Sequence, residues 1–303
     1  MSSISCIITS FNNAAFLDMA IESVIAQTRR PDEIIIADDC STDDSHEIIN
    51  AFASQYSTIR PVFREKNIGV GANRDLALRS ASCDLITFLD GDDWFFPEKI
   101  EAEERALSDQ MAIAYSDVIL MRSADAGTTR MGMRSSRSVD RRFRSLSDGL
   151  EPDDFRPDLM RHSYTESGRW DMGEFPGDDD KMRPWWISTR CQPIPTHMML
   201  PKKIYEEAGG ILRGVNLYED WDLKIRLSCL PYKWVYSGVA GMAYRMTESG
   251  LSSVSAVKRL VGQLSALRRN RPCLARALGW SGYMNTFASI AMRAYTRRPG
   301  SSQ

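Results

Sequence analysis

Leu85 to Leu89 is an apolar run of strand length, and it ends in Asp90-Gly91-Asp92-Asp93, three carboxylates within four residues. Like charges this close repel and call for a counter-charge. A polar turn explains one Asp and the Gly, which favour turns for local backbone reasons. It does not explain three acids at the mouth of a buried strand. Oxygen-rich clusters of this kind suit a hard divalent cation, Mg²⁺ or Mn²⁺, shared with the phosphates of a substrate. Asp90 and Asp92 are therefore the candidate metal ligands.

Two further acidic stretches follow the same logic. Glu33 to Ala37 runs into Asp38-Asp39-Cys40-Ser41-Thr42-Asp43-Asp44. Asp43 and Asp44 suit the first turn of a following helix, capped by Ser41 or Thr42. Asp38 and Asp39 precede that turn and have no such explanation. Later comes Tyr218-Glu219-Asp220-Trp221-Asp222-Leu223, where Leu223, Leu227 and Leu230 give a helix an apolar face. Acids in its first turn complement the helix dipole, and Asp222 pairs with Arg226 one turn on. An acid at the very start of such a helix can also act as a general base. His197 is the one histidine near this chemistry, and a lone histidine in an apolar strand reads as structural.

The elements that must position these groups alternate. Strands are expected at Ser5–Ile8, Glu33–Ala37, Ile59–Arg64 and Asp84–Leu89. Helices are expected at Ala15–Gln27, around Ile48, Ile49 and Phe52, at Ala72–Ala81 and at Glu98–Leu107, with Pro97 at a first helical position. That order means βαβ units and a parallel sheet. Ligands bind beyond the carboxyl ends of such strands, which puts Asp38, Asp39, Asp90 and Asp92 on one rim. Met111–Met121, Tyr232–Ser237 and Val239–Tyr244 read as further strands. Between them, at about 122–190, lies an irregular insertion, arginine-rich first and acidic later, with Trp170, Trp185 and Trp186. It reads equally as a self-complementary surface segment or as a lid that binds an acceptor, since tryptophans stack on sugar faces.

A chain of 303 residues with 43% hydrophobic and 26% charged residues is that of an ordinary soluble protein, and its net charge of −2 argues against bulk nucleic-acid binding. Six cysteines without a C-x-x-C pair point to a reduced, cytoplasmic setting. So does an N-terminus that enters a strand with no basic segment or apolar run before it. After Glu248 there is no acidic residue, while Lys258, Arg259, Arg268, Arg269, Arg271, Arg276, Arg293, Arg297 and Arg298 follow. Val254, Val257, Leu260, Val261, Leu264 and Leu267 make one helical face beside these cations, the pattern of an interfacial helix on an anionic membrane. Ala277 to Met292 lacks charge but is too short and polar to span a bilayer. The other reading is that these helices pack on the catalytic domain.

Ile7-Ile8-Thr9-Ser10-Phe11-Asn12, Ile36-Ala37-Asp38-Asp39-Cys40-Ser41-Thr42-Asp43, Asn67-x-Gly69, Phe88-Leu89-Asp90-Gly91-Asp92-Asp93 and Glu219-Asp220-Trp221-Asp222-Leu223 together resemble family-2 glycosyltransferases. The likeness runs from about Ser3 to Leu227. It implies an α/β GT-A fold, a Rossmann-like, mostly parallel sheet flanked by helices, here with a C-terminal helical extension. Residues 1–110 would form the nucleotide-sugar half, 111–248 the acceptor half and 249–303 the basic extension. The resemblance implies inverting transfer of a sugar from a nucleoside diphosphate sugar to a hydroxyl of a glycan or lipid-linked acceptor, in cell-surface polysaccharide or glycolipid assembly. Carried over by position, Thr9, Phe11 and Asp39 would hold the nucleoside. Asp90 and Asp92 would form the D-x-D element with Mg²⁺ or Mn²⁺, Arg74 would lie near the phosphates, and Asp220 would be the base. Asp75 stands where relatives often have Asn. Met246-Thr247-Glu248 stands where many have a histidine, which removes one protein contact to a metal. A catalytically silent, membrane-associated nucleotide-sugar-binding module on the same fold is the alternative. A sugar nucleotidyltransferase would want a glycine-rich, basic loop after the first strand, and Thr9 to Asn13 is not one. The expected location is the cytoplasm, peripheral on the inner face of the membrane.

Overall fold

The computed structural model describes residues 2–108, 111–122, 184, 187–188, 197–215, 217–246 and 255–296. Most of the expected insertion, with Trp170, Trp185 and Trp186, lies outside the described residues, as do Cys191, Thr247, Glu248, Val254, Arg297 and Arg298.

The first half alternates as expected: β1 Ile4–Ser10, α1 Ala14–Ile25, β2 Glu33–Asp38, α2 Ser45–Gln55, β3 Ile59–Phe63, α3 Val70–Ser80 and β4 Leu85–Asp90. Every residue of β1 is buried, Ser5, Thr9 and Ser10 included, which is why its middle, Cys6-Ile7-Ile8, reads as a continuous apolar run instead of an alternating one. β3, β2, β1 and β4 lie side by side and parallel. The short β7, Leu200–Pro201, joins antiparallel to β4. A second sheet holds β5 Trp94–Phe95, β8 Lys233–Met246 and β6 Ala112–Arg122 in that order. The two sheets are stitched by paired main-chain bonds between Ala114 and Met199, at 2.8 and 3.0 Å. The remaining helices are α4 Lys99–Leu107, α5 Lys202–Glu207, α6 Glu219–Ser228, α7 Ala256–Arg269 and α8 Arg271–Thr296, the last broken at Gly279.

Three expectations are corrected. The two strands expected over 232–244 are one, β8, because β6 offers a continuous parallel partner and register shifts around Asp117 absorb the irregularity. Neither Ser41 nor Thr42 caps α2. Ser41 Oγ instead donates to Asp38 and accepts from Asn12 N, while Asp43 takes the hydroxyl and amide of Ser45. The apolar face expected on the first C-terminal helix is divided. Leu267 is buried, Leu260 and Leu264 are half-buried against the core, and Val257 and Val261 are 71% and 58% exposed.

The alternation of β1 splits the core. Ile7 faces a cluster with Ile35, Phe88, Trp221, Leu267, Leu274 and Ile290, while Cys6 and Ile8 face one with Leu17, Ile36 and Leu89. α6, α7 and α8 therefore share the main core. Among the described residues, no helix is long and apolar enough to cross a membrane.

Candidate active site

β1 and β4 end together, with Thr9 opposite Asp90 in the parallel register. Thr9 Oγ1 donates to Asp90 Oδ1 at 2.9 Å, and Gly91 N donates to Thr9 O at 2.8 Å. A Cβ on Gly91 would lie 3.0 Å from that same carbonyl oxygen and from Asn13 Nδ2, so any side chain there would push on the end of the strand. Arg74 reaches this point from α3. One end of its guanidinium pairs with Asp90, and Nη1 lies 3.3 Å from Glu219 Oε1 on α6. Its carbon sits 5.3 Å from the centre of the Phe88 ring. Burial disfavours charge on both Arg74 and Asp90. The attraction between them outweighs it, aided by His197 and Thr9, and holds the Asp90 carboxyl well below the usual carboxylate range.

The other acids of this turn meet a different environment. Burial, then the charge of Asp90, pushes Asp92 up to about 6. Burial, then Asp92 and Asp90, raises Asp93 well above its usual value. Asp93 Oδ1 accepts from Arg245 N at 2.7 Å, but its buried Oδ2 has no hydrogen-bond partner. Neither has the buried Nε2 of His197, which lies 3.5 Å from Asp90 Oδ2 and 3.9 Å from Asp93 Oδ2. One atom from each of Asp90, Asp93 and His197 lies within 4.8 Å of the others. Two orphaned buried polar atoms beside an ionised carboxylate fit a divalent cation, with two oxygens and an imidazole nitrogen as donors. The histidine read as structural thus sits in the acid cluster, seated between Phe88 and Phe95. Asp92 lies beside this trio rather than in it.

α6 brings the third acidic stretch to the same rim. It begins after Tyr218, which takes a left-handed conformation at φ 63°. Glu219 is pushed up to about 7 by burial and by Asp220, against the pull of Arg74. Asp220 is nearly buried, with Lys224 Nζ 3.2 Å from its Oδ2. Asp222 turns away from the rim into a set of donors: Arg226 Nε at 3.2 Å, Arg269 Nε at 2.9 Å and Asn270 Nδ2 at 3.0 Å. Asp75 also faces away, accepting from Tyr205 Oη at 2.8 Å and from Ile211 N at 3.2 Å. On the far side of the rim, Asp39 accepts from the amides of Ile68 and Gly69, both at 2.9 Å, and so fixes the glycine turn before α3. Phe11, just past β1, is 47% exposed.

The model of "Glycosyl transferase family 2" matches residues 5–165, more than half of the chain. The chain belongs to glycosyl transferase family 2. Among curated relatives, a cholesterol galactosyltransferase of Borreliella burgdorferi is 42% identical over 90 residues, 30% of this chain and 25% of that protein. An uncharacterized glycosyltransferase of Nostoc is 39% identical over 99 residues, 32% of this chain and 30% of the other. The match thus spans under a third of either relative. Among solved structures, S. aureus TarS 1–349 in complex with UDP-GlcNAc superposes with a TM-score of 0.64 at 15% identity, covering 99% of this chain and 74% of that one. The complex of the same protein with UDP gives 0.63 at 13% identity, covering 97% and 72%. At that identity the likeness establishes the fold, GT-A.

In this family-2 chain, Thr9, Arg74 and Asp90 form one bonded group, with Asp92 next to it. Asp220 joins that group at one remove, through its neighbour Glu219 and Arg74. Asp39 and Phe11 stand along the same rim without a direct bond to it. Sequence reasoning gave Glu219 and Asp93 no role of their own and read His197 as structural. The first two had a signal, since each sits in a run of acids too dense for a turn or a helix start to explain. His197 had none, because its neighbours in space come from β4 and the turn after it.

Proposed function

We propose that this chain transfers a sugar, with inversion, from a nucleoside diphosphate sugar to a hydroxyl of a glycan or lipid-linked acceptor in cell-surface polysaccharide or glycolipid assembly. One observation carries the reading: two carboxylate stations, Asp90–Asp93 and Glu219–Asp220, face each other across a single buried arginine. An inverting displacement needs compensation of the diphosphate's charge at one end of the reacting centre, which carboxylates would supply by holding a cation, and a base at the other. One end orders the departing diphosphate, and the other receives the acceptor's proton from the opposite face. That two structures of the same fold hold UDP and UDP-GlcNAc supports the donor class.

Residue roles follow from chemistry. Phe11 offers its exposed ring to a nucleobase, while Asp39 and Thr9 shape the rim around it. Asp90, Asp93 and His197 would hold Mg²⁺ or Mn²⁺ with Asp92 beside them, and a cation bound there offsets charge on a diphosphate leaving group. Arg74 supplies a fixed positive charge on the same side. Asp220 takes the acceptor proton, and Lys224 holds its carboxylate in place meanwhile. Residues 1–110 make the donor half and 111–248 the acceptor half. The basic extension from 249 onward holds the chain peripherally on the inner face of the cytoplasmic membrane.

The deciding experiment incubates the protein with a panel of nucleotide sugars and Mn²⁺. Released diphosphate with an inverted anomeric centre by NMR is the expected result. Pyrophosphate exchange would mark a nucleotidyltransferase, and binding without turnover would mark a silent module.

A further inference from the structure

α8 is broken at Gly279, whose φ of 72° lies in the left-handed region, and its second part starts anew at Trp280. From there the helix has two unlike faces. Tyr283, Thr286 and Ile290 are buried and Phe287 is half-buried, packed toward the main core. Trp280, Met284, Ala288 and Ala291 follow at spacings of four, four and three and share the outer face. Trp280 is 61% and Met284 46% exposed. The stripe is about 17 Å long at the rise of an α-helix. Ser281 and Asn285 are exposed beside it, and no residue from 277 to 292 is charged.

The surroundings specify what such a stripe would meet. Lys258, Arg259, Arg268, Arg271 and Arg276 are exposed on the same helix pair, and no Asp or Glu occurs after Glu248. A second copy docking here would set these cations against their own equivalents with no acid from this segment to pair with them. An anionic bilayer surface offers the opposite charge. Its headgroup layer takes up a tryptophan and short apolar side chains, and its charge attracts the flanking basic residues. Arg269, by contrast, is spent on Asp222, and Leu267 on the core. The face of α7 expected from sequence is therefore divided, with Val257 and Val261 its exposed part.

We propose that the outer stripe of α8, led by Trp280 and Met284, is the element that seats this chain in the headgroup layer of an anionic membrane. This rests on the membrane reading given above and assigns it to one helix face. Vesicles of phosphatidylcholine and phosphatidylglycerol in equal parts, pelleted with the full chain, test it. The wild type should pellet with them, and neither with pure phosphatidylcholine nor at high salt. Trp280→Ser with Met284→Ser should bind at least about tenfold more weakly while keeping the wild-type melting temperature and nucleotide binding. A Met284→Glu variant, which adds one negative charge to the stripe, should lose binding as well. Undiminished binding by both variants would overturn the assignment to α8 and leave the membrane reading intact. Failure of the wild type to bind anionic vesicles at all would overturn both. Loss of a lipid-free dimer on Trp280→Ser would name a second copy as the occupant and also overturn the proposal.

Discussion

Arg269 Nε lies 2.9 Å from Asp222 Oδ1 and so fastens the C-terminal helices to the helix that carries Asp220. Asp222 is fully buried and has Arg226 and Asn270 as its other partners. Removing its charge leaves two arginines facing an empty site. Breaking such a cluster costs several kcal/mol when fully buried; with Arg269 about a third exposed, about 3 kcal/mol is expected for Asp222→Ala. Urea unfolding measures it, and a loss below the error of that method would deny Asp222 an anchoring role.

Asp220 should behave otherwise. Asp220→Asn keeps the side chain's shape and removes its affinity for a proton. The turnover number should fall about 10²-fold or more with donor binding retained. Parallel kinetics on Asp222→Asn decide the assignment, because greater damage to turnover there would move the base two residues along the helix.

The cation site makes a separable prediction. Mn²⁺ should raise the melting temperature of the wild type, and Asp93→Asn and His197→Gln should each abolish that rise. Asp92→Ala should abolish transfer and weaken metal-assisted nucleotide binding. Full activity in excess chelator would rule the cation out of the reaction.

Glu219 sets a pH dependence. Its carboxyl is raised from 4.5 to about 7, by burial and then by Asp220 against Arg74. Between those values the folded chain holds a proton that the unfolded chain has lost. The corresponding stability is therefore largest at the acid end, declines as pH rises from 4.5 through 7, and is flat above. Glu219→Gln removes that slope. Melting curves of both proteins across this window should show the wild type losing ground to the variant as pH rises; parallel curves would refute the shift.

Arg74 should prove least replaceable. Arg74→Ala leaves the half-buried Asp90 and the buried Glu219 without their shared cation, a loss of about 3 kcal/mol. Arg74→Lys keeps one charge but cannot reach both carboxylates as a fork does. Calorimetry with UDP as probe should show weaker binding in the lysine variant, and wild-type affinity there would deny Arg74 a part in holding the donor.

The first four strands and three helices were legible because each is a contiguous pattern, apolar where both faces of a sheet are covered and periodic where one helix face is. The ends of those strands were legible too, which is how Asp39 and Asp90 came to be expected on one rim. What the chain order concealed is contact across distance. Nothing near Asp39 announces that its carboxylate ties the amides of Ile68 and Gly69, and nothing near His197 announces Asp90 and Asp93. Both depend on which strand lies next to which. The divided face of α7 has the same origin, since periodicity reveals an apolar side but not which half of it the core will claim.

The bond pair between Ala114 and Met199 carries one more consequence. The chain leaves the described part of β6 at Arg122 and is bound again to the same strand eight residues back, a separation of about 26 Å along the strand. It is also held at Ile187, whose carbonyl accepts from Trp221 Nε1 at 2.7 Å beside Asp220. Everything between Arg122 and Ile187 is thus spliced between two fixed posts, and lengthening a closed loop costs only about 0.6 kcal/mol for each doubling. A change in the length of chain between those posts would therefore cost little stability, while β1 and β4 keep their register.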